Sequence, residues 1–141
     1  MRKTNYGGRW PAGTPWIYRF WVRVVIGEHD GCWLWDGKVN GSGYGVVVTK
    51  YGTKDNPHAS CTMAHRMAYM LVRGDIPKGK VLDHTCRTKL CCNPWHLEIV
   101  IQTLNAERAW FYRMSDKAIK QFREGDEEGL AATLRKFRCS G

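Results

Sequence analysis

Hydrophobic and polar positions alternate in several distinct rhythms along the chain, and each rhythm predicts an element. Thr14-Pro15 reads as a helix start, with Thr14 as cap and Pro15 at the first position. The bulky residues that follow predict a helix from Pro15 to about Val24, burying Phe20, before Gly27 and Asp30-Gly31 break it. CWLW (32–35) and YGVVV (44–48) read as strands across the turn region DGKVNGSG, and together they predict a β-hairpin. Residues 49–57 read as a loop. MAHRMAYMLV (63–72) has helical spacing, with Met63, Met67, Met70 and Leu71 on one side, and Gly74 ends it. VLD (81–83) is a short strand that delivers His84, residues 85–94 are a cysteine-rich loop, and HLEIVI (96–101) is a second strand. Thr103 is placed to cap a helix carrying Asn105, Glu107 and Arg108. Residues 115–124 and 126–137 read as two further short helices, with Ser115 as a cap.

These elements give an α+β fold: a β-hairpin and a strand–loop–strand–helix (ββα) unit over 81–110, flanked by helices. The expected organisation is a basic N-terminal arm (1–13), a main domain (14–110) and a C-terminal helical extension for DNA binding or packing (111–141). A chain of 141 residues is ordinary for one main domain. The apolar fraction of 43% supports only a modest core, and the seven tryptophans read as its anchors.

Composition changes this picture in two ways. Net charge is +9, from 22 Lys and Arg against 13 Asp and Glu, which favours a polyanionic partner such as nucleic acid. No apolar run approaches the roughly 20 residues of a membrane span. MRKTNYGGRW leads into no apolar stretch of the kind a secretory signal needs. The expectation is an intracellular protein that is not secreted. In such a compartment the six cysteines read as thiols or metal ligands rather than disulfides.

The densest chemistry lies in LDHTCRTKLCCNPWHLEIVIQTLN (82–105). Cys86 and Cys91 flank a four-residue loop, and His96 follows five residues later. Tetrahedral zinc accepts this mixture of ligands. Cys32, at the start of a strand, is a candidate fourth ligand, and such a site would supply about 10–16 kcal/mol of apparent binding free energy to folding. The alternative is a set of buried thiols. Cys92, next to Cys91, cannot easily face the same metal, and Cys61 and Cys139 follow no ligand pattern.

A structural zinc leaves His84 and Asn105 unused. One imidazole with oxygen atoms from Asp83 and Asn105 makes a hard-cation site beside a base. That combination suits phosphodiester hydrolysis, with Mg2+ or Mn2+ as the cation. The alternative for Asp83 is a solvated charge at a strand end.

DH…C…CCNPWHL…LN resembles the signature of the HNH, or His-Me finger, endonucleases, and is similar to the phage and homing-type members. The intervals from His84 to His96 and from His96 to Asn105 are twelve and nine residues, as in that pattern. GCWLWDG, GYG and AHRMAYMLVRGDIP extend the likeness over about residues 16–110. The resemblance implies a ββα-metal finger in which His84 is the general base and Asn105 binds the catalytic metal. His96 then joins Cys32, Cys86 and Cys91 on structural zinc, as in the zinc-containing branch. Asp83 as second metal ligand is borrowed from another branch. The implied partner is double-stranded DNA, met by a monomer or homodimer in the cytoplasm of a host cell.

The 44–54 hairpin, with Thr49, Lys50, Tyr51 and Lys54 near its tip, resembles a sheet that lies in the major groove in this family, a groove that a two-stranded ribbon fits, and the resemblance implies Lys50 and Lys54 as DNA contacts. Arg66, Arg108 and Arg113 are further candidates. Arg66, Tyr69 and Arg73 share a helix face, of which Tyr69 reads as ordinary wet surface. His65 reads as a packed, hydrogen-bonded histidine. Two other readings compete: a zinc-stabilised DNA-binding or regulatory module without activity, which leaves Asp83, His84 and Asn105 without a role, and a delivered toxin nuclease, for which no export segment is visible.

Overall fold

A computed structural model describes residues 11–28, 30–50 and 60–138. Lys54 and Cys139 lie outside the described residues, as do most of the predicted N-terminal arm and the side chain of Lys50. The elements are α1 (Trp16–Trp21), β1 (Val24–Val25), β2 (Leu34–Trp35), β3 (Val46–Lys50), β4 (Ser60–Met63), α2 (Ala64–Arg73), β5 (Lys80–His84), β6 (Leu97–Ile101), α3 (Gln102–Glu124) and α4 (Glu127–Arg138). A short 3-10 turn, Pro94–His96, precedes β6. The α+β class is as expected, with the strands of the described residues in three two-stranded sheets. Among the described residues no helix is long and apolar enough to cross a membrane.

The chain divides into two compact units. The first holds residues up to Lys78 together with Leu82–Ile99. Its core gathers Phe20, Val24, Trp35, Val47, Ala64, Met67, Ala68 and Cys92. Phe20 and Trp35 stack at 5.5 Å between ring centroids. Gly45 runs so close to Trp35 that a Cβ would strike the indole, so only glycine fits there. α2 lays Ala64, His65, Met67, Ala68 and Tyr69 inward. A satellite cluster joins Tyr69 to Leu82 and Leu97. Gly74, with φ of 96°, ends the helix in a conformation that glycine tolerates best.

The second unit holds Gly79–Val81 and the chain from Val100 onward. Here α3 and α4 form a helical hairpin. Gly125 closes α3 in the left-handed region, and the Asp126 carboxylate accepts the Gly129 amide at 2.9 Å to cap α4. Trp110 and Phe111 each meet Phe137 edge-on at 5.7 Å, and the Thr133 hydroxyl donates to Gln121 at 2.7 Å.

Several local expectations are corrected. Thr14 does not cap α1; its hydroxyl donates to the Pro11 carbonyl, and Pro15 takes the cap position. The helix stops at Trp21 because Val24 and Val25, β-branched residues that suit a strand, pair with Trp35 and Leu34. The predicted hairpin between 32–35 and 44–48 is therefore two different pairings, with β3 antiparallel to β4. Thr103 lies inside α3, whose cap position is Ile101. α3 also runs straight through Ser115. No Gly or Pro interrupts 102–124, and one serine does not stop a helix that its neighbours favour. Tyr69 is buried rather than wet, with Arg73 stacked over its ring.

Candidate functional site

The cysteine-rich loop is built by backbone pairing with a distant segment. The Trp35 amide donates to Leu90, the Cys92 amide donates to Trp33, and Leu34 and Cys91 form an antiparallel bridge. This adds residues 90–92 as a third edge beside β2 and brings Cys32 to the loop. Asn93, buried at 3% exposure, completes the junction. Its amide donates to the Gly31 carbonyl at 2.9 Å, and its side-chain oxygen accepts the Trp95 amide. Sequence reasoning passed over Asn93. Its signal is the Asn-Pro step, which favours a turn.

The side chains of Cys32, Cys86, Cys91 and His96 meet there, with all four ligand atoms within 4.8 Å of one another. His96 Nδ1 stands 3.7 Å from the Cys32 sulfur and 3.5 Å from the Cys91 sulfur. Zinc bonds of roughly 2.3 Å to sulfur and 2.0–2.1 Å to nitrogen, set tetrahedrally, place sulfur and nitrogen about 3.6 Å apart. The group could hold a metal ion, and both the donor set and the spacing fit zinc. The Asn93 backbone N–H donates to the Cys91 sulfur at 3.4 Å. Burial pushes the Cys91 thiol up to about 12; amide hydrogen bonds from Asn93 and Trp33 oppose this, and Cys32 and Cys86 add to it. A divalent cation reverses that balance, because it stabilises thiolate directly. Cys92 faces the other way, into the apolar core, and burial pushes its thiol up to about 12 as well.

His84 ends β5, where alternate residues share a face: Leu82 and His84 point inward and both are buried. The His84 Nε2 lies 3.1 Å from the Cys91 carbonyl oxygen. A carbonyl only accepts, so Nε2 carries the hydrogen, and in a neutral ring Nδ1 then keeps the lone pair. Burial lowers the His84 pKa, while the Cys91 carbonyl and the Asp83 charge oppose this. Asp83, the next position back, is half-buried. The loop turns at Arg87, whose φ of 59° lies in the left-handed region, and its amide donates to the His84 carbonyl.

Three residues beside His84 were not singled out from the sequence as parts of a site. His65 packs edge-on against its ring at 4.7 Å. Tyr44 lies 6.0 Å from His84 and 5.5 Å from His65. Lys89 stands over the Tyr44 ring at 5.4 Å and donates to the Ser42 carbonyl at 3.0 Å. No local spacing signals these contacts, because they join three separate segments. His65 is packed as expected, but its Nδ1 is buried with no hydrogen-bond partner among the described residues.

Asn105 lies in the first turns of α3 and is half-buried; Arg108 is half-buried and Arg113 exposed on the same helix. Arg66, on α2, is half-buried.

A family model described as HNH endonuclease matches residues 62–106. That stretch holds His84, Cys86, Cys91, His96 and Asn105, and leaves out Cys32. Protein 2.8 of Escherichia phage T7 is 30% identical over 110 residues, which span 72% of this chain and 70% of that protein. No solved structure matches the chain.

Proposed function

From the match of residues 62–106 to an HNH endonuclease model and the likeness to protein 2.8 of phage T7, we propose that this chain is an HNH endonuclease that hydrolyses phosphodiester bonds of double-stranded DNA, with His84 as general base. The observation that carries the reading is the hydrogen bond from His84 Nε2 to the Cys91 carbonyl. It commits the neutral ring to one tautomer and leaves Nδ1 as a single, oriented acceptor for a proton from water. Burial supports the neutral form that a base needs.

Asp83 and, by the family pattern, Asn105 would hold the catalytic Mg2+ or Mn2+; carboxylate and amide oxygens are the donors a hard cation takes. When bound, that ion stabilises the negative charge that develops on the phosphoryl group and the leaving oxygen. The chain's own share is to orient the water through His84 Nδ1 and to steer the DNA with basic residues, among them Lys50, Lys54, Arg66, Arg108 and Arg113. The cluster of Cys32, Cys86, Cys91 and His96 would hold structural zinc and fix the loop from which the Cys91 carbonyl projects. The homing or phage type of the enzyme, a cytoplasmic site of action and a monomeric or dimeric state belong to the same proposal, with residues 111–141 as an extension for DNA binding or packing.

The test is cleavage of supercoiled DNA by wild type, His84→Gln and Asn105→Ala, with Mg2+ and Mn2+ and with zinc content measured in parallel. The expected result is metal-dependent cutting by wild type only, with zinc unchanged in all three. A folded, zinc-loaded His84→Gln that cuts at the wild-type rate would sink the assignment. If wild type binds DNA but cuts nothing under either metal, a zinc-stabilised binding module replaces it.

A further inference from the structure

A single hydrogen bond from Nε2 anchors one atom of the His84 ring. It does not fix the ring plane, since the terminal torsion of a histidine side chain is broad. Something else must hold the ring if Nδ1 is to face one direction. His65, in the first turn of α2, is placed to do so. It is 7% exposed, its ring centroid lies 4.7 Å from that of His84, and the planes are inclined at 61° in an edge-to-face contact. Tyr44 supports both rings from a third side.

The His65 ring acts here through its shape and packing. Its buried Nδ1 has no hydrogen-bond partner among the described residues, so no polar contact of that atom competes with the ring packing. Burial, with smaller contributions from His84 and Arg66, lowers its pKa to about 3. It is therefore a neutral ring near physiological pH and sets no fixed charge beside His84.

We propose that His65 is a positioning residue: its ring, set edge-to-face against His84, holds that imidazole in the plane that keeps Nε2 on the Cys91 carbonyl and Nδ1 turned outward. The orphaned Nδ1 is buried, so that atom is not placed to meet DNA or water. The consequence for cleavage rests on the reading of His84 as the base; the consequence for ring order does not.

The experiment uses the full chain, zinc-loaded, as wild type, His65→Phe and His65→Leu. Phenylalanine keeps an aromatic ring, whereas leucine fills the space without one. Fold and zinc content are checked first, and the His84 imidazole is followed by long-range nitrogen–proton spectra, identified with His84→Gln. Wild type and His65→Phe are expected to show the single tautomer protonated on Nε2, and His65→Leu an averaged pattern. In cleavage, His65→Leu should lose roughly 10–100-fold in kcat with KM little changed, the scale of a misplaced catalytic group, and His65→Phe should recover most of it. Wild-type spectra and kcat in His65→Leu would overturn the proposal. Equal loss in His65→Phe would overturn it too, because the imidazole itself would then be needed. If His65→Leu does not fold, His65→Met, another filler without a ring, takes its place in the same comparison, with the same outcomes supporting or overturning the proposal. If wild type cuts no DNA, the base assignment fails and the spectra still decide the positioning role.

Discussion

Cys91 faces two ways: its carbonyl accepts the His84 Nε2–H at 3.1 Å, while its sulfur lies 3.5 Å from His96 Nδ1. One residue thus joins the thiol cluster to the proposed base. Any disturbance of the cluster reaches His84 through a single peptide unit.

Adjacent cysteines should therefore behave as opposites. Cys91→Ser should lose most of the metal and with it the loop, whereas Cys92→Ser should keep about one zinc per chain. The second change still costs stability, about 1–3 kcal/mol, because a hydroxyl replaces a thiol in an apolar core. Elemental analysis and thermal melts of the two variants check this. Strong chelation of wild type should unfold it.

His84 is buried, so its removal touches the fold as well as the chemistry. His84→Ala strands the Cys91 carbonyl and should lower stability by about 1–3 kcal/mol. His84→Gln, which carries an amide donor, should lose less. Both should lose roughly 10²–10⁴-fold in cleavage, the usual contribution of a general base. Denaturant midpoints beside cleavage rates separate the two effects.

His65 predicts an acid sensitivity. Its pKa is about 3 in the fold against 6.5 in an open chain, with His84, Arg66 and Tyr44 around it. Between those values the unfolded chain binds a proton that the folded chain refuses. Stability should thus fall as pH drops below about 6.5, by at most about 1.4 kcal/mol per unit, and level off near pH 3. Comparing wild type with His65→Phe from pH 7 to 5 isolates this from protonation of the thiol cluster. Parallel curves would refute it.

DNA affinity should fall steeply with salt, since phosphate contacts release counterions. Arg66→Ala and Arg113→Ala should each reduce the slope of log affinity against log salt by about 0.9 if each neutralises one phosphate. A titration series from 50 to 200 mM salt reads this directly.

The parts legible from the sequence are those set by local pattern. α2 and the β5–β6 ribbon follow from helical spacing and strand alternation. The grouping of Cys86, Cys91 and His96 follows from a short loop. What was missed depends on distant partners. Val24 and Val25 leave the helix because Leu34 and Trp35 offer an edge, and β2 takes residues 90–92 on its other side. Two-residue strands have too little pattern to announce their partners. Ser115 looks like a cap only if its neighbours are ignored, and the contact between His65 and His84 has no signature in spacing at all.

The bridge between Leu34 and Cys91 also dictates an order of events during synthesis. Cys32, Trp33 and Trp35 leave the ribosome about sixty residues before the segment that completes this edge. Through that interval Trp33 and Trp35 carry an open strand edge, the kind of surface that invites mispairing. Cys92, a member of the main core, arrives equally late. The early half of the chain must therefore wait for Cys91 and Cys92, and a nascent chain stalled before residue 90 would hold its aromatic residues without the segment that closes over them.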